Sequence, residues 1–211
     1  MKLKDTKNIW HNAYSEDVEK FNHFKSQLQK INESRMWIID KLLTLKGVKK
    51  VLEVACGPGL DLEYMYKEVD KLPFSYTGLD YTPKFIEMLK EEYPQHEFVT
   101  ANAMDIPFKD NSFDVVYTRH SLEHVSSPHT ELDEMFRLAK KYIIIGWFRL
   151  VDTETTYHIK SNKFGEYPLH DLNRTEFETK VSEWGTIEDS FVISNHECWL
   201  VKKYPKKRGK K

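Results

Sequence analysis

Residues 50–59 read KVLEVACGPG, and the reading of the whole chain starts from what this stretch demands. Val51, Leu52, Val54 and Ala55 form a short apolar run with strand character, and Gly57, Pro58 and Gly59 turn the chain straight after it. Leu62, Met65, Tyr66 and Val69 then recur at the spacing of one helical face. Glycines in such a turn let a ligand approach the backbone closely, and the N–H groups opening the next helix carry partial positive charge. Strand, glycine turn and helix point to a nucleotide-type site in an α/β domain, or to no more than a tight turn.

Downstream the pattern repeats. Phe74 to Leu79 predicts a second strand ending in Asp80, and Lys84 to Tyr93 a helix with Phe85, Ile86 and Leu89 as its stripe. Glu97 to Thr100 and Phe113 to Thr118 read as two more strands. A helix is expected from Ser127, with Pro128 at its first position. YIIIGWF at 142–148 has the unbroken apolar character of a strand covered on both faces. Strands and helices alternating at these intervals predict a βαβ architecture, with any ligand beyond the carboxyl ends of the strands. Gly57, Asp80, Asn102 and the segment Arg119 to His124 all fall at such ends.

The flanks are less regular. Residues 1–45 predict helices from about Ser15, broken near Asn32, that either pack on the sheet or cover the pocket as a lid. Residues 149–172 read as a long irregular insert rich in His, Tyr, Asn and Thr. Asn173 to Glu176 has capping-box spacing, and Ile187 to Ser194 with Cys198 to Val201 reads as a hairpin turning near Asn195 and His196. The last ten residues, KKYPKKRGKK, are expected to be a basic tail, either solvated or in contact with an acidic surface or nucleic acid.

With 211 residues, 40% hydrophobic and 31% charged, the chain suits one globular domain, spanning about 46–201, with room for an added lobe. A net charge of −1 gives the molecule no general attraction to nucleic acid. Cys56 and Cys198 make neither a disulfide framework nor a metal-ligand spacing, so no metal and a reducing, cytoplasmic setting are expected. No apolar run suggests a signal peptide or a membrane span.

The order of VLEVACGPG (51–59), YTGLDYTPKFIEML (76–89), ANAMDIPFKDNSFDVVYTRHSLEHV (101–125) and the apolar strand at 142–148 resembles the class I S-adenosylmethionine-dependent methyltransferases. The resemblance is to the small-molecule group and covers about half the chain. It implies a Rossmann-like, doubly wound, mostly parallel seven-stranded sheet with an antiparallel C-terminal hairpin. It implies S-adenosylmethionine as cofactor, with Glu53, Ala55, Cys56, Gly57 and Gly59 passing under the methionine part. Asp80 would accept both ribose hydroxyls, Tyr81 would lie against adenine, and Thr118 and Arg119 would be cofactor neighbours. Asn102 stands where the family usually has an aspartate for the adenine amino group, while Ala103 would offer its N–H and Met104 would pack on the ring. Asp105 is read as capping its own loop, and Asp114 as a prop of the fold.

For chemistry, His124 and His120 are the candidate proton acceptors, imidazole being poised near neutral pH. Trp10, Tyr14, Phe21, Trp147, Arg149, Tyr157, His158, Tyr167 and His170 are the candidate acceptor-binding residues. Methyl transfer to a small O, N or C nucleophile is the leading reading. The alternatives are methylation of RNA or protein aided by the tail, and a non-catalytic binding protein of the same fold. A nicotinamide-dependent oxidoreductase fits poorly, because Gly57 and Gly59 are followed by Asp61 and Leu62 instead of a third glycine.

Overall fold

The computed structural model describes residues 33–162 and 165–205. In chain order they form α1 (Glu33–Thr44), β1 (Lys50–Val54), α2 (Leu60–Glu68), β2 (Ser75–Asp80), α3 (Pro83–Glu92), β3 (Glu97–Thr100) and β4 (Phe113–Arg119). There follow α4 (Pro128–Leu138), β5 (Ala139–Phe148), β6 (Leu150–Val151), β7 (Thr156–Asn162), β8 (Gly165–Asn173), α5 (Arg174–Ser182), β9 (Gly185–Ile193) and β10 (His196–Lys203). Seven strands make the main sheet in the order β3-β2-β1-β4-β5-β10-β9. β1 to β5 are mutually parallel, and β10 and β9 run antiparallel on the far edge.

Strand periodicity divides the core in two. On β1, β4 and β5, Leu52, Val54, Val116, Ile143 and Ile145 face one side, where Leu132, Met135 and Phe136 of α4 and Phe177 of α5 cover them. Val51, Val115, Tyr117 and Ile144 face the other, against Ile38, Ile39 and Leu42 of α1, Leu62 and Met65 of α2, and Ile86 and Leu89 of α3. Each such side chain stabilises the fold by roughly 1.5–3 kcal/mol relative to exposure, so three suffice to seat α1. Gly146 makes that seat possible, since a Cβ there would stand 2.3 Å from the Cδ1 of Ile38. The strand order reverses between β1 and β4, and the crevice opens above that point.

Most local expectations hold. Ser127 caps α4 with Pro128 behind it, and the Asn173 side chain accepts from the Glu176 N–H at 2.9 Å to open α5. Asp114 accepts from the N–H groups of Lys49 and Lys50 at 2.8 and 3.1 Å, bracing the entry to β1. The terminal hairpin turns on Ser194 and Asn195, both with positive φ (49° and 64°), as a two-residue turn requires.

Two expectations need correction. Residues 149–172 are not irregular: β6, β8 and β7 form a second, three-stranded sheet, with β7 and β8 paired from Thr156↔Asp171 to Asn162↔Gly165. This sheet satisfies its backbone by pairing while leaving residues such as Ile159 exposed, so no hydrophobic alternation marks it. The basic tail also starts later than its composition suggests. β10 runs through Lys203, whose ammonium is buried and donates to the carbonyls of Phe136 and Ala139 at the end of α4 (2.5 and 2.8 Å). A cation is stabilised there because those carbonyls form the negative pole of the helix. Of the N-terminal segment, α1 packs on the sheet, while the first expected helix, Trp10, Tyr14 and Phe21 lie outside the described residues. Among the described residues no helix is long and apolar enough to cross a membrane.

Candidate active site

β1 ends in a turn that three positive-φ residues shape: Ala55 (59°), Gly57 (52°) and Gly59 (77°). Gly57 and Gly59 do different work. A Cβ on Gly57 would meet nothing within 4 Å, because that face opens on a cavity; a Cβ on Gly59 would strike Leu89 of α3 at 2.4 Å. Gly57 gives a ligand room, and Gly59 lets α2 and α3 close behind it.

The cavity, of about 450 Å³, lies along the ends of β1, β2 and β4 and beneath β8, a volume suited to a small ligand. At one end stands Asp80, the last residue of β2 and 8% exposed. Its Oδ2 accepts from the N–H of Gly57 and its Oδ1 from the N–H of Thr82, both at 2.8 Å. Burial raises its pKa, opposed by those two donors. Each oxygen keeps a further lone pair, which is what a vicinal diol needs. Leu79, Phe85, Ala101, Ala103 and Met104 make the wall beyond it apolar, with Tyr81 beside them. Asn102 uses its Oδ1 to accept from the Met104 N–H at 3.0 Å, shaping its own loop. The Asn102 amide thus holds this loop in place and still has one lone pair for a ligand.

At the other end charged groups converge under the turn. Asp61, in the first turn of α2, accepts from the Nε of Arg35 (2.8 Å) and of Arg119 (3.0 Å). Asp61 and Arg35 are buried, at 2% and 1% exposure, and Arg119 is nearly so at 10%. Glu53, 3% exposed, accepts from the hydroxyl of Tyr117 at 2.5 Å and from that of Tyr76. Burial and the neighbouring Asp61 push its carboxyl up to about 8, against the pull of the two hydroxyls and Arg119. Arg119 also lines the cavity, and its guanidinium suits the carboxylate of an amino-acid ligand.

The raised Glu53 carries a pH signature. The folded state holds a proton that the unfolded chain releases near 4.5, so this contribution is complete below about 4.5 and is lost as pH rises towards about 8. Between those limits each unit costs up to about 1.4 kcal/mol. Glu53→Gln, isosteric with the neutral acid, is expected to flatten the fall in unfolding free energy between pH 5 and 8. Equal slopes in denaturant titrations of both proteins would contradict the assignment.

The third side is the segment after β4. His120 has positive φ (62°), and its N–H donates to the Gly146 carbonyl at 2.9 Å. Its Nδ1 contacts Glu123 Oε1. His124 donates from Nδ1 to the Pro168 carbonyl of β8 at 2.8 Å, and its Nε2 lies 3.7 Å from the same Glu123 oxygen. Burial lowers the His124 pKa. Burial alone would raise Glu123, yet the charge and hydrogen bond of His120 hold it below its ordinary value. Behind them Ser121 donates to buried Glu131 at 3.1 Å, whose carboxyl burial pushes up to about 7.

Of the expected cofactor residues, Glu53, Ala55, Cys56, Gly57, Asp80, Tyr81, Asn102, Ala103, Met104 and Arg119 line one cavity. Gly59 and Thr118 lie behind it, Thr118 being fully buried with its hydroxyl on the Val54 carbonyl at 2.9 Å. His120, His124 and Tyr167, the expected proton acceptors and one expected acceptor-binding residue, line the same cavity. His170 stands one layer back, its N–H on the Glu123 carbonyl at 2.8 Å. Arg149, between β5 and β6, and Tyr157 and His158, on β7, lie away from the cavity, Arg149 and His158 beside Asp171 and Tyr157 against the His170 ring. Trp147 is described in its backbone only. Sequence reasoning missed Arg35, Asp61, Glu123, Leu169 and His196. Arg35 and Asp61 carried a usable signal, being charges on otherwise apolar helix faces.

Residues 52–145 match the family model of a methyltransferase domain. Over 160 residues the chain is 28% identical to a demethylmenaquinone methyltransferase of Renibacterium salmoninarum, covering 67% of this chain and 63% of that protein. Over 72 residues it is 43% identical to a phthiotriol/phenolphthiotriol dimycocerosates methyltransferase of Mycobacterium tuberculosis, covering 33% of this chain and 26% of that protein. Both matches span less than two thirds of the relative's own length. Among solved structures, 1,6-didemethyltoxoflavin-N1-methyltransferase of Burkholderia thailandensis, with bound 1,6-didemethyltoxoflavin and S-adenosylhomocysteine, shares the fold. Its TM-score is 0.67 at 14% identity, over 96% of this chain and 92% of that one. The sheet order and the match over residues 52–145, a little under half of the chain, liken this protein to the S-adenosylmethionine-dependent methyltransferases.

Proposed function

We propose that this protein transfers a methyl group from S-adenosylmethionine to a small hydroxylated or otherwise nucleophilic acceptor. One observation carries the reading: a single cavity runs from the diol-binding Asp80, past Glu53 and Arg119, to the His120–His124 segment and Tyr167. It offers a place for the donor and, on the side of the histidines, for an acceptor.

When bound, S-adenosylmethionine supplies a methyl group already activated on a sulfonium. The chain's own residues have to hold, align and exclude water. Asp80 would anchor the ribose through its two spare lone pairs, and Arg119 would take the carboxylate while Asp61, itself bonded by Arg35, fixes its guanidinium. The turn at Ala55 to Gly59 carries the chain close beneath the middle of the cavity. Tyr167 and Leu169 of β8 roof the acceptor side. The acceptor's proton leaves towards the cluster of His120, Glu123 and His124. His120 is the more accessible of the two imidazoles, at 40% against 13% exposure, and Glu123 orients it.

The names of two relatives refer to demethylmenaquinone and to phthiotriol; hydroxylated acceptors are therefore the first class to test. Calorimetric titration with S-adenosylmethionine, S-adenosylhomocysteine and NADH is expected to give one-to-one binding of the two adenosyl ligands alone. Methyl transfer from labelled S-adenosylmethionine to quinols and phenols follows, with structured RNA as the comparison. Absence of adenosyl-ligand binding overturns the reading, and labelling of RNA alone moves the acceptor to nucleic acid.

A further inference from the structure

We propose that His120, Glu123 and His124 bind a divalent first-row transition ion on the acceptor side of the cavity. Binding of the ion stands on geometry alone; only its use in methyl transfer rests on the function proposed above. One ligand atom from each of these three side chains lies within 4.8 Å of the others. Ligands held ~2.1 Å from one ion stand roughly 3–3.5 Å apart, so side-chain rotations close the set.

Three further observations point to a cation. Glu123 is 3% exposed, and its Oε2 is buried without a hydrogen-bond partner among the described residues, an arrangement that is costly unless a positive charge meets it. The Nδ1–H of His124 is held by the Pro168 carbonyl, which fixes the tautomer and presents the Nε2 lone pair. That outer hydrogen bond is the usual support of a metal-ligating imidazole. His120 is kept in the left-handed region (φ 62°) by its N–H bond to Gly146, a strained placement of the kind found at working sites.

Two imidazoles and one carboxylate suit Zn²⁺, Fe²⁺ or Mn²⁺ and leave coordination positions open towards the cavity, whereas Mg²⁺ prefers oxygen ligands. The expectation of no metal rested on the two cysteines; the spacing that matters here is His-x-x-Glu-His at 120–124. An ion there selects an acceptor that can chelate: a catechol, a vicinal diol or a hydroxyl beside a carbonyl. With the ion bound, the three side chains act as ligands in place of proton acceptors: the coordinated hydroxyl ionises nearer neutrality and its proton passes to solvent. The oxygen lone pair then forms the O–CH₃ bond as the CH₃–S bond breaks, and the sulfur keeps that electron pair as a neutral thioether.

The full chain, freed of metal by a chelator, is titrated with ZnCl₂, MnCl₂ and MgCl₂. Saturable one-to-one binding of Zn²⁺ and Mn²⁺ is expected, with Mg²⁺ on the order of 100-fold weaker. Co²⁺ should give the visible absorption of an imidazole-ligated site. His120→Ala, at a partly exposed position, is expected to lower Zn²⁺ affinity by on the order of 100-fold, and Glu123→Gln to do the same. Melting curves identify any variant that has not folded, in which case the other variant decides. No stoichiometric binding of either ion, or unchanged affinity in a folded variant, overturns the site. Titration of the wild type with S-adenosylhomocysteine is read separately, so failure of the methyltransferase reading and failure of the metal site remain distinguishable.

Discussion

Asp80→Asn is expected to weaken binding of S-adenosylmethionine and S-adenosylhomocysteine by roughly 100- to 1,000-fold in calorimetric titration. Hydrogen bonds to a charged acceptor contribute about 1.5–3 kcal/mol each, and the ribose of the proposed cofactor would make two of them at Asp80. The substitution also disturbs the site from within. The carboxylate accepts from Gly57 on one oxygen and from Thr82 on the other; an amide has one acceptor oxygen, so one of those N–H groups must face an NH₂. The turn at Gly57 therefore loses its tether at the same time as the ribose loses its anchor. An affinity within threefold of wild type would remove Asp80 from the cofactor site.

Asp61→Ala is expected to cost about 3–5 kcal/mol of unfolding free energy, the penalty for leaving buried charges without their partner. Asp61 lies between the guanidiniums of Arg35 and Arg119, and all three sit where water has little access. Asp61→Leu combined with Arg35→Met should recover part of the loss, because a buried pair replaced by apolar groups of similar size is often neutral. Urea unfolding of the single and double variants measures both. A loss below about 1 kcal/mol in Asp61→Ala would show that solvent screens the cluster.

How far the sequence could be read depended on which force shapes each segment. The parallel sheet is made by burial on both faces, and burial writes itself into residue type: VLEV at 51–54, FDVVYT at 113–118 and YIII at 142–145 leave little choice. Caps and turns were legible because single residues determine them, as Ser127, Asn173 and the Ser194–Asn195 pair do. The second sheet was not legible, since β7 and β8 are held by main-chain pairing, and polar residues such as His158 and Lys160 pair as well as apolar ones. Lys203 was hidden for a related reason: its burial is stabilised by carbonyls that only the folded chain brings together. In the site, the residues at strand ends could be placed because topology dictates where strands end. Acceptor candidates taken from the insert were scattered, with Tyr167 in the cavity and Arg149 and His158 outside it, because their facing depends on the β8 register.

The bonds that seat β8 over the cavity share a property with wider reach. Three hydrogen bonds from the insert are made by main-chain atoms: the Pro168 carbonyl to His124, the His170 N–H to the Glu123 carbonyl, and the Leu172 N–H to the Arg149 carbonyl, while the Tyr167 ring adds an edge contact to His124. Main-chain atoms survive almost any substitution. Descendants of this chain could therefore replace Tyr167 and Leu169 without unseating the strand, and could refit the roof to a new acceptor while the donor half stays as it is. In the function proposed above, donor recognition falls to the strand ends of the main sheet and acceptor choice to a detachable lobe.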